Sequence, residues 1–204
     1  MTDVVLWDYP KSSASYRLRI ALNLAGIAYR IETVNLLTGE HRSDAHRARN
    51  PQGLVPVLDI DGLRLTQSLA ILDYLDETRA LGLLPTDPSG RAQVRALAQS
   101  IAVDLHPVCN LSVMLQATGG QEPARNDWMR HFIPIGLDAF EALLTAFPQT
   151  AFAAGDAPGL ADICLMPQLY NARRWGVAYS HLPRIAAVEV ACNAHPAFQR
   201  AAPD

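Results

Sequence analysis

The chain has 204 residues, half of them hydrophobic and 18% charged, a balance that excludes a disordered, collagenous or coiled-coil chain. With 17 basic against 20 acidic residues the formal charge is −3, so no basic field invites nucleic acid. Three scattered cysteines, Cys109, Cys164 and Cys192, suit reduced thiols in the cytosol better than a disulfide framework or a paired-cysteine zinc site.

Residues 4–7 form a short apolar run with β-branched content and predict a buried strand. Nothing near Met1 resembles a signal-peptide core, and no stretch reaches the ~20 apolar residues a membrane helix needs. The expectation is a soluble cytoplasmic protein with no membrane partner. A helix is predicted over residues 12–25, where Leu18, Ala21, Leu22 and Ala25 recur at helical spacing and Gly26 closes the turn. Residues 29–34 predict a second strand, and a β-α-β unit of this length pairs its strands in parallel.

Asn50-Pro51-Gln52-Gly53 is loop chemistry. Residues 55–58 and 63–66 then read as a hairpin around Asp61-Gly62. Gln67-Ser68 opens an amphipathic helix through Ile71, Leu72 and Leu75. Residues 84–90, dense in Pro, Ser and Gly, mark a linker. Beyond it only helical pattern continues, with helices predicted at 89–117, 124–146, 160–175 and 184–193. The organisation expected is an α/β domain over 1–82, a linker at 83–88 and an all-helical domain over 89–204.

Arg17 stands out within the first helix. At about 100° per residue it falls inside the apolar arc between Ile20 and Leu24, whereas Arg19 and Asn23 share the polar face. A buried arginine needs a partner, so Arg17 is expected to form a structural ion pair beneath a site or to touch a ligand. The six histidines are dispersed, and His41 and His46 are spaced wrongly for one helical face. No metal site is predicted.

The run Ser12-Ser13-Ala14-Ser15-Tyr16-Arg17-Leu18-Arg19-Ile20 after the first strand resembles the signature of zeta-class glutathione transferases, the class of the maleylacetoacetate and maleylpyruvate isomerases. Further landmarks follow in family order over essentially the whole chain: Asn50-Pro51, Val55-Pro56, Gln67-Ser68, Asn110-Leu111-Ser112 and Ala161-Asp162. The resemblance implies a thioredoxin-like N-terminal domain followed by an all-α C-terminal domain, the glutathione transferase fold, with glutathione as cofactor. It implies a sulfur contact from Ser12, Ser13 or Ser15, at a turn where backbone N–H groups and the positive helix end favour a thiolate. Read alone, the serines could simply cap the helix.

The resemblance further implies a cis-proline after Val55, whose backbone would pair with the cofactor as an added strand would. It places the γ-glutamyl carboxylate at Gln67 and Ser68 and the glycyl end near His41. His106, Asn110 and Ser112 match cofactor residues of the second domain, and Lys11 and Arg174 match substrate-carboxylate positions. Arg17 and Arg173 are further cations in these stretches. The implied reaction is cis–trans isomerisation of a dicarboxylate: a thiolate adds to the alkene, the resulting single bond rotates, and elimination returns the thiol. A two-fold homodimer is implied as well.

Three departures from the pattern matter. Lys11 stands where many zeta members carry arginine, keeping the charge without the bidentate fork. Ala14 replaces the cysteine of some members, and with no cysteine in residues 8–17 thiol-exchange chemistry has no nucleophile. Gly159 takes the place of a Ser or Thr cap, so Asp162 is left to close the late helix by accepting from the N-cap N–H. Two other readings stay open: a transferase conjugating small electrophiles such as α-halo acids, and a non-catalytic interaction module.

Overall fold

Trp7 pairs with Val57, and Val57 pairs with Thr66; these two registers fix which segments meet at one end of the sheet. The computed structural model describes residues 3–203, so residues 1, 2 and 204 of the expected domain ranges lie outside it. Four strands, β1 (Val5–Asp8), β2 (Arg30–Thr33), β3 (Val57–Ile60) and β4 (Leu63–Thr66), form one sheet in the order β2-β1-β3-β4. β2 runs parallel to β1, while β3 is antiparallel to both β1 and β4. The central strands carry the buried apolar residues Val5, Leu6, Val57, Leu58 and Ile60, whereas Ile31 and Leu63 on the edge strands stay exposed.

The helix α1 (Ser13–Leu24) connects β1 to β2 and buries Leu18, Ile20, Ala21 and Leu22. Its N-cap is Ser12, whose Oγ accepts from Ser15 N–H at 3.2 Å. Asp61 and Gly62 have φ values of 54° and 78°, the two left-handed residues that a two-residue hairpin of matching twist requires. A short helix, α2 (Asp44–Arg47), follows a 3-10 turn at Glu40–Arg42; α3 (Ser68–Arg79) follows β4.

The described residues form two compact units. The first runs to Leu81 and also contains the chain from Pro196 onward; the second is Gly82–His195. The expected helical range of 89–204 is therefore corrected at its C-terminal end. The last helix, Pro196–Ala201, packs on α1 in the first unit, where Asn23 Nδ2 donates to Ala197 O at 3.0 Å and Arg19 Nε to Ala201 O at 2.9 Å. This also overturns the placement of Arg19 on a polar face. Arg19 is 5% exposed and ion-paired to Asp8 at 2.6 Å.

The second unit is helical. Its predicted 89–117 helix is broken into α4 (Pro88–Gln99), a π-helical stretch at Ser100–Leu105, α5 (His106–Val108) and α6 (Leu111–Thr118). Pro107 supplies no N–H to the helical ladder, and Asn110 takes extended dihedrals before α6. Next come α7 (Ala124–Leu144), α8 (Leu160–Arg174) and α9 (Pro183–Ala194), followed by α10, the Pro196–Ala201 helix of the first unit. The helix α8 is buried on all sides from Leu160 to Leu169, as the central helix of a bundle must be, and packs against α4, α9 and the π-helical stretch. At its start Asp162 Oδ2 accepts from Gly159 N–H at 2.8 Å, as the sequence predicted.

Candidate active site

The strand registers bring three separated segments to one end of the sheet. Because β1 runs antiparallel to β3 with Trp7 opposite Val57, residues 9–12 leave the sheet where residues 55–56 enter it. Because Val57 also faces Thr66, Gln67 and Ser68 emerge at the same end. Lys11, Ser12 and Ser13, the Val55-Pro56 bond, and the start of α3 are thus brought together. The Val55-Pro56 peptide is cis.

Ser12 and Ser13 are half-buried and open α1, where N–H groups have no helical partner and the dipole is positive. Ser12 Oγ accepts the Ser15 N–H, which leaves its own hydrogen to donate. Capping and sulfur contact are therefore compatible in one residue. Ser15 exposes none of its surface, and its hydroxyl is buried without a hydrogen-bond partner among the described residues. Lys11 is exposed.

The loop before Val55 is braced from below. Asn50 Nδ2 donates to Leu54 O at 2.8 Å, and His46 Nε2 lies 3.0 Å from the same oxygen. Gly53, at φ 63°, lies so close to His41 O that an added Cβ would stand 3.0 Å from it. That approach sets His41 beside the loop. His41 Nδ1 is buried without a hydrogen-bond partner among the described residues. Burial, together with the positive charges of Arg42, His46 and Arg47, holds this imidazole below its ordinary pKa.

Gln67 adopts φ 67°, a conformation that costs a non-glycine residue about 1–3 kcal/mol. Its Nε2 donates to Gln52 Oε1 at 2.7 Å, tying the start of α3 to the braced loop. Ser68, the first residue of α3, is buried and accepts from Arg17 Nη1 at 3.1 Å. Arg17 is buried as its place in the apolar arc predicted, whereas the ion pair of α1 with Asp8 is made by Arg19.

The second-unit candidates are placed on their own elements. His106 opens α5, and Asn110 is the N-cap of α6, with Ser112 exposed in its first turn. Arg174 ends α8, exposed, its guanidinium 5.8 Å from the Tyr170 ring centre. Its neighbour Arg173 is committed to Glu189 and to Tyr179 Oη, which sets it aside as a substrate cation. The sequence marks Asn50 and Gln52 as loop residues and Asn50-Pro51 as a landmark, but the bracing contacts of Asn50, Gln52 and His46 depend on loop geometry that no residue pattern announces. Among the described residues no group of three His, Cys, Asp or Glu is placed to hold a metal.

The Glutathione S-transferase, N-terminal domain family matches residues 2–77. Maleylacetoacetate isomerase of Rhizobium meliloti strain 1021 is 56% identical over 206 residues, covering 99% of this chain and 97% of that protein. The holo structure of maleyl pyruvate isomerase, a bacterial zeta-class glutathione S-transferase, superposes with a TM-score of 0.93 at 44% identity, covering 98% and 96% of the two chains. The chain belongs to the zeta class of the glutathione transferase family. A third relative, the maleylacetoacetate isomerase of Methylobacterium extorquens AM1, solved with bound malonate and glutathione, has a TM-score of 0.91 at 38% identity over 98% of this chain and 96% of that one. The zeta-class fold accounts for the parallel β1–β2 pair, the antiparallel β3–β4 hairpin and the helical unit that follows.

Proposed function

We propose that this zeta-class protein is a glutathione-dependent cis–trans isomerase of maleylacetoacetate or maleylpyruvate. The observation that carries the reading is the convergence of Ser12, Val55, Gln67 and Ser68 on one sheet end, beside two helix N-termini. The donor set suits glutathione: hydroxyls and positive helix ends favour a thiolate and a carboxylate, and His41 Nδ1 has no hydrogen-bond partner among the described residues. When bound, glutathione supplies a thiolate that adds reversibly to the cis double bond and is returned unchanged after rotation.

The residues of the chain do the rest. Ser12 donates its free hydrogen toward sulfur and lowers the thiol pKa. The backbone of Val55 pairs with the cysteinyl unit, and Ser68 and Gln67 take the γ-glutamyl end. His41 faces the glycyl end, while His106, Asn110 and Ser112 contribute from the helical unit. Lys11 and Arg174, both exposed, are the cations assigned to the substrate carboxylates, since a dianion needs opposite charge. The relatives support this substrate class, being named for maleylacetoacetate and maleyl pyruvate, and one is solved with malonate. The family resemblance also supports a cytosolic homodimer working in aromatic catabolism.

Spectrophotometric turnover of maleylpyruvate and maleylacetoacetate, each with and without glutathione, tests the reading. Turnover that requires glutathione without consuming it is expected. Glutathione binding with consumption of α-halo acids and no isomerisation would instead make the protein a conjugating transferase. Absence of glutathione binding would leave an interaction module.

A further inference from the structure

Arg17 exposes 2% of its surface, so it has no face with which to wrap a ligand. Its Nη1 nevertheless reaches Ser68 Oγ at 3.1 Å, in a bond buried on both sides that joins α1 to the first residue of α3. A serine oxygen that accepts a hydrogen bond directs its own hydrogen elsewhere. Bonding to a guanidinium also polarises the hydroxyl and makes it a stronger donor. Ser68 sits where the N–H groups of α3 have no helical partner, and Gln67 before it is held at φ 67°. A strained backbone, a buried cation and an oriented hydroxyl thus meet at one helix start.

We propose that Arg17 is a positioning residue for the cofactor. Through Ser68 Oγ it aims the Ser68 hydroxyl at the γ-glutamyl carboxylate of glutathione, and its charge strengthens that one contact. The proposal rests on the glutathione reading above and adds a residue that acts without touching the ligand. It separates Arg17 from Arg19 two positions on, whose guanidinium is taken up by Asp8, Pro10 O and Ala201 O.

Calorimetric titration with glutathione and with its analogue lacking the γ-glutamyl carboxylate, 4-aminobutanoyl-cysteinylglycine, tests the proposal. The unsubstituted protein should prefer glutathione by about tenfold or more, the worth of a hydrogen bond to a charged group. Arg17→Met should weaken glutathione by about the same factor and the analogue by less than about threefold. In a Ser68→Ala background, Arg17→Met should add little. KM for glutathione should rise with kcat nearly unchanged.

Equal weakening of both ligands by Arg17→Met, or the same loss with and without Ser68, would make Arg17 a mere packing residue and overturn the proposal. Should Arg17→Met fail to fold, the guanidinium 15N resonances of Arg17 in the unsubstituted protein decide: they should shift on binding glutathione and not on binding the analogue, and equal shifts would refute it. A protein that binds both ligands equally well keeps the glutathione reading and loses this one. A protein that binds neither loses both.

Discussion

Asp162 closes the entry to α8 by accepting the Gly159 N–H on Oδ2 at 2.8 Å, while its Oδ1 accepts the Ala153 N–H at the same distance. One carboxylate thus serves a helix start and the loop before it, in a position where glycine contributes no side-chain cap. Burial pushes its pKa up to about 6, against the lowering effect of these backbone donors.

The folded pKa of Asp162 lies above that of an unfolded aspartate, so the fold binds this proton more tightly than the unfolded chain does. The contribution of the group to stability is then largest below about pH 4 and is lost as pH rises through about 6. Over that window the loss amounts to about 2–3 kcal/mol. Urea unfolding at pH 4 and pH 7 should show this decline in the unsubstituted protein and not in Asp162→Asn. Asp162→Ala, which strands two N–H groups, should cost about 2–4 kcal/mol at either pH.

Ser12 has two separable duties, and two measurements separate them. Ser12→Ala should lower stability by about 1 kcal/mol through loss of the cap to Ser15 N–H. It should also raise the pKa of bound glutathione, read from thiolate absorbance, and lower kcat by about tenfold or more. Ser13→Ala should leave stability within about 0.5 kcal/mol. If Ser13→Ala alone raises the thiol pKa, the sulfur contact belongs to Ser13.

The sheet end was largely legible in the sequence because its parts are local. A helix-capping serine, a Val-Pro step and a Gln-Ser helix start each follow from a few adjacent residues. The helix break falls at Cys109–Asn110, two residues past Pro107, and apolar spacing does not reveal it because that spacing continues on both sides. The return of residues 196–201 onto α1 had no local signal. It depends on Arg19 and Asn23, which look solvent-facing until a distant segment supplies carbonyls for them. The apolar arc marks Arg17 as buried, but its bond to Ser68 spans fifty-one residues, and no pattern reaches that far.

Gly136 on α7 lies against Leu105, the last residue of the π-helical stretch before His106. An added Cβ would stand 2.4 Å from Leu105 Cδ2 and 2.8 Å from Cγ, so the buried Leu105 side chain would have to shift. Gly136→Ala should therefore cost about 1–3 kcal/mol by overpacking, despite the better helix propensity of alanine. Leu105→Ala alone should cost about 2–5 kcal/mol through its cavity. The double variant should lose clearly less than the sum of the two, because each change makes room for the other. Additive losses in urea unfolding would mean that the two sites do not share this space.

Asp8 and Arg19 form a buried pair, so removing one charge should cost more than removing both. Arg19 Nη1 lies 2.6 Å from Asp8 Oδ2, with side chains 6% and 2% exposed. Arg19→Met leaves the Asp8 carboxylate without its cation and also strips Pro10 O and Ala201 O of a donor, so it should cost about 3–5 kcal/mol. Asp8→Asn together with Arg19→Met removes both charges and should recover part of that loss, because no isolated ion then remains in the interior. Deleting the chain from Pro196 takes the Ala201 carbonyl from Arg19 and the Ala197 carbonyl from Asn23. The truncated protein should therefore unfold at lower urea. In that background Arg19→Met should cost less than in the full chain, since the Ala201 contact is already gone. An undiminished cost there would place the contribution of Arg19 in its contacts with Asp8 and Pro10 O.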